Sequence, residues 1–417
     1  MSTGEAHSHP IVDCQICSSK NLRSLLFLGY LPPVNTMPPV GERAVEQPAF
    51  PLELLRCDDC GLVQIGLEVS PEVLFPYSYP YLSGTTRILR DNFANLCAES
   101  APLVNLRPED LVIDVGSNDG TLLSNYKLGG HRVLGIEPSQ AGEVARKNGI
   151  DTLTAYFGLE TAQKVRKEHG PAKIVTAANV FAHIGDVHAV TDGVVELLGE
   201  DGVFISESHY LLDLVETLQY DTIYHEHLRY YSLGALEVLL KRHGLEVFHV
   251  KRIPTHGGSI RVYAARPGRY PVNASVEERR RHEAEFGLTD GSALKVFRER
   301  VVKSKIALYD LLAKLSADGK RIFGIGAPSR ASTLINYTGL DDGIVDAVME
   351  VSGSHKLNRY VPGTRIPVED EAKLYAEQPD FALLLSWHIA DELAANLKKR
   401  GYKGRFIVPL PVPRVIE

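Results

Sequence analysis

Asp110-Leu-Val-Ile-Asp-Val-Gly-Ser-Asn-Asp-Gly-Thr-Leu-Leu123 opens as a short apolar run, turns at Gly116 and resumes as the start of a helix. A buried strand, a glycine turn and a helix in that order form the first half of a doubly wound α/β unit. The next apolar strand, Arg132-Val-Leu-Gly-Ile-Glu-Pro138, ends in an acid. In such folds ligands bind at the carboxyl ends of the strands, where an acid can take both ribose hydroxyls. The glycine spacing is G-x-x-x-G and not the dinucleotide G-x-G-x-x-G, which favours a nucleoside without pyrophosphate, S-adenosylmethionine rather than NAD. Gly116, Asn118, Asp119 and Glu137 are the expected contacts.

Further strands deliver residues to the same rim. Lys173-Ile-Val-Thr-Ala-Ala-Asn179 places Asn179 beside the cofactor's amino-acid end, and His183 follows at the same edge, as a pocket residue or a capped surface histidine. Asp201-Gly-Val-Phe-Ile-Ser-Glu-Ser208 continues the sheet. Thr255-His-Gly-Gly-Ser-Ile-Arg-Val-Tyr263 joins two glycines to an alternating strand, for close ligand approach or a plain hairpin turn.

Four of the five cysteines fall in two pairs, Cys14-Gln-Ile-Cys17 and Cys57-Asp-Asp-Cys60. In a reducing compartment this reads as a tetrahedral zinc site with no open position, so an architectural staple. Cys97 reads as a small buried hydrophobe. After the second pair, Phe75-Pro-Tyr-Ser-Tyr-Pro-Tyr-Leu-Ser-Gly84 is kept from helix by Pro76 and Pro80 and reads as an extended aromatic loop, a pocket lid or interface packing.

The 417 residues, 44% hydrophobic and 23% charged, suffice for two or three domains, and a net charge of -7 argues against a general nucleic-acid binder. The opening MSTGEAHSHPIV lacks the pattern of a signal peptide and no apolar run approaches a membrane span, so a cytoplasmic chain without a membrane partner is expected.

Toward the carboxy terminus, Leu294, Phe297, Val301, Leu308, Leu311 and Leu315, interrupted by Ser304, mark one helical stripe. Then Lys320-Arg-Ile-Phe-Gly-Ile-Gly-Ala-Pro-Ser-Arg-Ala-Ser-Thr333 repeats the strand, turn and helix start, and strands over 344–351 and 381–386 complete a second parallel sheet. Ser329, Arg330, Ser332, Thr333, Lys356 and Arg359 are the natural diphosphate contacts near that turn. A Rossmann-like scaffold without ligand is the alternative.

The most concentrated chemistry lies in Asp221-Thr-Ile-Tyr-His-Glu-His-Leu-Arg-Tyr-Tyr-Ser232. Its histidines are two apart, unlike the HExxH of zinc proteases, so a second metal site is disfavoured against a base site or a polar rim. In a helical turn Tyr224 and His227 share a face; in a strand Tyr224 pairs with Glu226.

The ordered set CQIC, CDDC, YPYLSG, IDVGSNDGTLL, GIEPS, NVFAHI, YHEH, HGGSIRVY, GIGAPSRASTLINYTG and RYVPGTRIPV, spread over nearly the whole chain, resembles the nucleotide-sugar C-methyltransferases that act on TDP-linked 4-keto-deoxyhexoses. The resemblance implies a zinc-binding module (1–75), a central S-adenosylmethionine domain (76–275) and a Rossmann-like nucleotide-sugar domain (276–417). It implies methylation at a ring carbon beside the C4 ketone, commonly C3, with His227 as the proton-abstracting base. Glu226 would orient an imidazole or hold a sugar hydroxyl, and Tyr224, Tyr79 and His183 would line the space between cofactor and sugar. The family commonly has lysine where Arg330 stands, which puts the nucleotide geometry in question. A monomer is expected. O-methylation of a sugar nucleotide and a non-catalytic sugar-nucleotide scaffold are the competing readings.

Overall fold

The computed structural model describes residues 7–75 and 82–417. The central sheet has seven strands in the order 246–253, 259–265, 198–209, 172–178, 111–115, 132–136 and 152–153. Its last five strands are parallel, and the two at the first edge form an antiparallel hairpin. Parallel strands covered by helices must be apolar on both faces, and Leu111–Val115 is buried throughout. Even its Asp114 is buried. It accepts a hydrogen bond from the Thr176 hydroxyl at 2.6 Å, and burial pushes its carboxyl up to about 7.

Helix Arg87–Leu103 covers one face and is tied down by charge. Arg261 lies opposite Glu207 in the sheet register and donates from Nε to Glu207 Oε2 at 3.0 Å. The same guanidinium reaches Asn92 Oδ1 (2.8 Å) and Glu99 Oε2 (3.0 Å) on the helix, and Asn92 returns a 2.6 Å bond to Glu207 Oε1. The side chains of both ion-pair partners are 0% exposed, so each charge depends on the other. Cys97, on that helix, packs against the second apolar cluster, as a small hydrophobe should.

The second seven-stranded sheet runs 359–360, 367–370, 347–350, 322–325, 381–384, 405–408 and 414–416, parallel in its centre with an antiparallel strand at each edge. Helix Ser292–Ala317 leads into it. Its buried stripe is Leu294, Phe297, Val301, Ser304, Leu308 and Leu312. The expected stripe continued through Leu311 and Leu315, which are only partly buried; a period of 3.6 residues drifts to Leu312 after Leu308.

The amino-terminal module is a four-stranded sheet of Leu22–Leu31, Phe50–Cys57, Val63–Ile65 and, from far along the chain, Arg229–Tyr230. At one end the sulfurs of Cys14, Cys17, Cys57 and Cys60 all lie within 4.8 Å of one another, as four thiolates about 2.3 Å from a shared zinc ion require. These residues fit a closed structural zinc site. One apolar core runs without a break from this module through one face of the central sheet and into the second sheet. Among the described residues no helix is long and apolar enough to cross a membrane.

Two measurements test this account. Arg261→Met strands the Glu207 carboxylate in the core and should cost about 3–5 kcal/mol in urea unfolding; a loss below about 1 kcal/mol would mean that water reaches the pair. Cys57→Ser should abolish bound zinc in elemental analysis and make the first 75 residues the earliest site of proteolysis.

Candidate active site

The carboxyl ends of the central strands carry two loops in unusual backbone. Gly116 (φ +68°) could not be replaced, because an added Cβ would lie 2.5 Å from Val180 Cγ2. Asn118 (φ +49°) and Asn179 (φ +58°) are non-glycine residues in the left-handed region, a conformation that clusters at functional sites. Glu137 binds the loop that follows Gly116, its Oε2 accepting from the Asn118 N–H and its Oε1 from the Ser139 N–H, both at 2.9 Å. Asp119 accepts from the Gly84 N–H at 2.7 Å and from the Thr121 hydroxyl at 2.6 Å. The buried Asn179 Oδ1 has no hydrogen-bond partner among the described residues, which is the mark of an acceptor kept for a ligand. Acid, amide and turn thus fit a bound nucleoside bearing a polar tail.

The 221–232 segment lies against this rim. Tyr220–Thr222 is a single 3₁₀ turn, and the His227 N–H bonds to the Tyr224 carbonyl at 2.9 Å, closing a second turn. The helical-turn alternative therefore describes it: the Tyr224 and His227 rings overlap at 4.1 Å, tilted by 33°. Around His227 stand His183 (4.8 Å between ring centres) and His209 (4.9 Å), and His256 lies 5.4 Å beyond His209.

The proton on His227 is placed by one contact. Its Nδ1 is 2.8 Å from the Thr222 carbonyl oxygen, which can only accept. The neutral ring therefore carries its hydrogen on Nδ1 and its basic lone pair on Nε2. Burial holds the imidazolium form far out of reach, with the neighbouring His183, His256 and Arg330 adding to the effect, and the Thr222 bond opposes it only in part. Burial likewise brings His183 and His256 down to about 4. The His183 Nδ1 is buried without a partner among the described residues.

Buried Arg229 fixes the loop bearing His183, donating to the carbonyls of Ile184 and Gly185 and, from Nε, to the Tyr231 hydroxyl at 3.1 Å. Glu226 turns toward the amino-terminal module, where Asn35 donates to its Oε1 at 2.7 Å. Asn35 in turn accepts from Ser329 of the second sheet's domain at 3.3 Å. Tyr79, and with it Tyr77 and Tyr81, lies outside the described residues.

The six expected phosphate contacts are not brought together. Ser329 and Lys356 lie on the Glu226 side, where Lys356 donates to the Ala327 carbonyl at 2.6 Å and loses proton affinity through burial. Arg359 is exposed and donates to the Met37 carbonyl at 2.9 Å. Arg330, Ser332 and Thr333 point inward and are buried. The fork of Arg330, expected to grip phosphate, is filled by Asp221, with Nε to Oδ2 at 2.8 Å and Nη2 to Oδ1 at 2.9 Å. At the glycine turn itself Glu350 Oε2 already accepts from the Ala327 N–H at 2.9 Å, repeating in this domain what Glu137 does in the first. The glycine pair also differs from one of its readings: a Cβ on Gly258 would strike the Asp213 carboxyl group at 2.1 Å, so the close approach is by a protein side chain and not by a ligand.

Sequence reasoning missed His209 and Glu350, and gave Asp221 no role. His209 stands one residue past the strand expected to feed the rim, and that position was the available signal.

Comparison with known proteins matches three successive stretches of the chain. A family described as a zinc binding domain matches residues 14–75, one described as a methyltransferase domain matches 86–250, and one described as a C-methyltransferase C-terminal domain matches 254–411. The C-methyltransferase NovU of Streptomyces niveus is 34% identical over 412 residues, covering 98% of this chain and 97% of its own. Among solved structures, magnesium protoporphyrin IX methyltransferase of Synechocystis PCC 6803 with bound SAM is 16% identical, covering 42% of this chain and 77% of its own at a TM-score of 0.32. The YcgJ protein of Bacillus subtilis is 15% identical, covering 43% and 100% at 0.34. The 34% identity to NovU along almost the entire length of both proteins means that the chain belongs to the C-methyltransferases, S-adenosylmethionine-dependent enzymes with a zinc-binding amino-terminal module.

Proposed function

We propose that this C-methyltransferase acts on a nucleotide-linked 4-keto-deoxyhexose, at the ring carbon beside the ketone, C3. The observation that carries the reading is the Nδ1 contact of His227 with the Thr222 carbonyl, which leaves a basic Nε2 in a pocket of uncharged imidazoles. A C–H bond next to a ketone is a weak acid, so its removal needs a neutral base held against it and a donor for the developing oxyanion. A charged imidazole could not serve as that base.

In this reading Nε2 of His227 takes the proton, and the electron pair of the C–H bond passes into the enolate. Tyr224, stacked on His227, and His183, with its buried Nδ1, line the space where the ketone oxygen would lie. Tyr79 is assigned to the same space by family resemblance alone. Glu226 is the candidate for a sugar hydroxyl, on the side where Asn35, Ser329 and Lys356 gather. S-adenosylmethionine, when bound, supplies an electrophilic methyl group. Gly116, Asn118, Asp119, Glu137 and Asn179 would hold it at the strand ends. The zinc module (1–75), the methyl-transfer domain (76–275) and the nucleotide-sugar domain (276–417) are the working divisions. Ser329 and Lys356 remain the diphosphate candidates.

His227→Asn should lower turnover by about 10²–10⁴-fold, the usual worth of a general base, with cofactor binding retained by calorimetry. In D2O without cofactor, the native enzyme should exchange deuterium into the carbon beside the ketone and the variant should not. Exchange at no carbon, with methyl found on oxygen by NMR, would rule out the carbon chemistry. The pH profile of kcat/KM follows from the sign of the His227 shift. Its proton affinity is lowered, so the ring stays neutral as pH falls through the ordinary imidazole value near 6.5, and the profile should stay level there and decline only in more acid solution. An acid limb centred at or above 6.5 would contradict a buried neutral base.

A further inference from the structure

Three donors from the second sheet's domain converge on residues 221–223. Arg330 grips Asp221 through two parallel bonds of 2.8 and 2.9 Å. The Trp387 indole N–H donates to Asp221 Oδ2 at 2.7 Å, and the Thr333 hydroxyl donates to the Ile223 carbonyl at 3.1 Å. Between the two gripped residues is Thr222. Its hydroxyl bonds back to the Gln219 carbonyl at 2.8 Å, and its own carbonyl holds His227 Nδ1.

The rest of Arg330 is equally occupied. Nη2 meets Gln219 Oε1 at 3.3 Å, Nη1 lies 3.1 Å from His388 Nδ1, and the guanidinium sits 5.0 Å from the Trp387 ring centre. The Asp221 side chain is 1% exposed and that of Arg330 8%. A buried ion pair is a poor device for stability alone, since desolvation offsets most of its attraction and an apolar pair of equal volume often serves better. What the pair does supply is direction. A planar guanidinium and an indole N–H together fix the orientation of the Asp221 carboxylate, and with it the backbone that presents the Thr222 carbonyl.

We propose that Asp221 is a positioning residue, clamped by Arg330 and Trp387, through which the carboxy-terminal domain sets the tautomer and direction of His227. Arg330 then acts on the base through Asp221 and Thr222 and not on phosphate. Proton abstraction becomes conditional on the docking of the domain that would carry the nucleotide. The inference rests on the reading of His227 as the base.

The test uses the full-length, zinc-loaded enzyme. Asp221→Asn and Arg330→Gln should each lower kcat by about 10- to 100-fold, the size of effect a misplaced reacting group produces, with KM for the keto-sugar nucleotide unchanged. Nitrogen-15 NMR of labelled histidine, with the His227 signal assigned by its loss in His227→Asn, should show the hydrogen confined to Nδ1 in the native protein and shared between both nitrogens in the variants. Asp221→Asn combined with His227→Asn should be no slower than His227→Asn alone, because residues acting as one unit are not additive. Should these variants fail to fold, Trp387→Phe and Thr333→Val each delete one donor with little change of shape, and their combination should shift the same NMR signal. A raised KM at constant kcat on Arg330→Gln would return that residue to phosphate binding and overturn the proposal, as would an unchanged His227 tautomer in Asp221→Asn or in the Trp387→Phe, Thr333→Val pair. Native-like turnover by His227→Asn would sink the base assignment instead, a result separable from the clamp because the tautomer shift is read without turnover.

Discussion

Residues 219–231, all buried except the half-buried Tyr224, lie where the zinc module, the methyltransferase sheet and the second sheet meet, and burial leaves most of their polar groups no recourse to water. Every module therefore contributes partners. The zinc module pairs Gln64 and Val63 with Arg229 and Tyr230 as a sheet edge, and its Ile65 N–H bonds to the Leu228 carbonyl at 3.0 Å. The methyltransferase domain supplies the Ala182 carbonyl to the Leu228 N–H at 2.9 Å. The second sheet's domain supplies Arg330, Trp387 and Thr333. A segment with only one 3₁₀ turn and a two-residue strand of its own is held in one conformation because each of its neighbours satisfies a different part of it.

The same burial shapes the chemistry. Imidazoles gathered without an intervening carboxylate would repel one another if charged, and each loses solvation besides, so His183, His209, His227 and His256 are all driven toward the neutral form. That state suits removal of a proton from carbon and is useless for binding phosphate. Lys356 and Ser329, the cation and hydroxyl proposed for phosphate, lie instead on the Glu226 side. The zinc ion would sit far along the chain from this chemistry, yet Asn35 of its module reaches Glu226, so a closed structural site also braces the active one.

The two α/β units show how a repeated solution hides in sequence. Glu137 and Glu350 each end the strand that follows a glycine turn, and each accepts from a backbone N–H of that turn. The first was legible as a candidate ribose acid because it ends a strand of a doubly wound sheet. The second was passed over in favour of nearby cations, since composition around a turn suggests charge while only the folded chain shows which charge already occupies the turn.

By itself the sequence determined the alternation of strand and helix, the four-cysteine clip and the glycine turn with its acid, because these follow from periodicity and local spacing. The neighbourhood of Tyr224, Glu226 and His227 was equally legible, since they are adjacent in the chain. The convergence of His209 and His256 on His227, and the commitment of Arg330 to Asp221, were decided by the tertiary structure alone. Those pairs join residues far apart in the chain, Asp221 and Arg330 by 109 positions, and whether a buried arginine meets a phosphate or a carboxylate depends on which group the fold brings within about 3 Å of it.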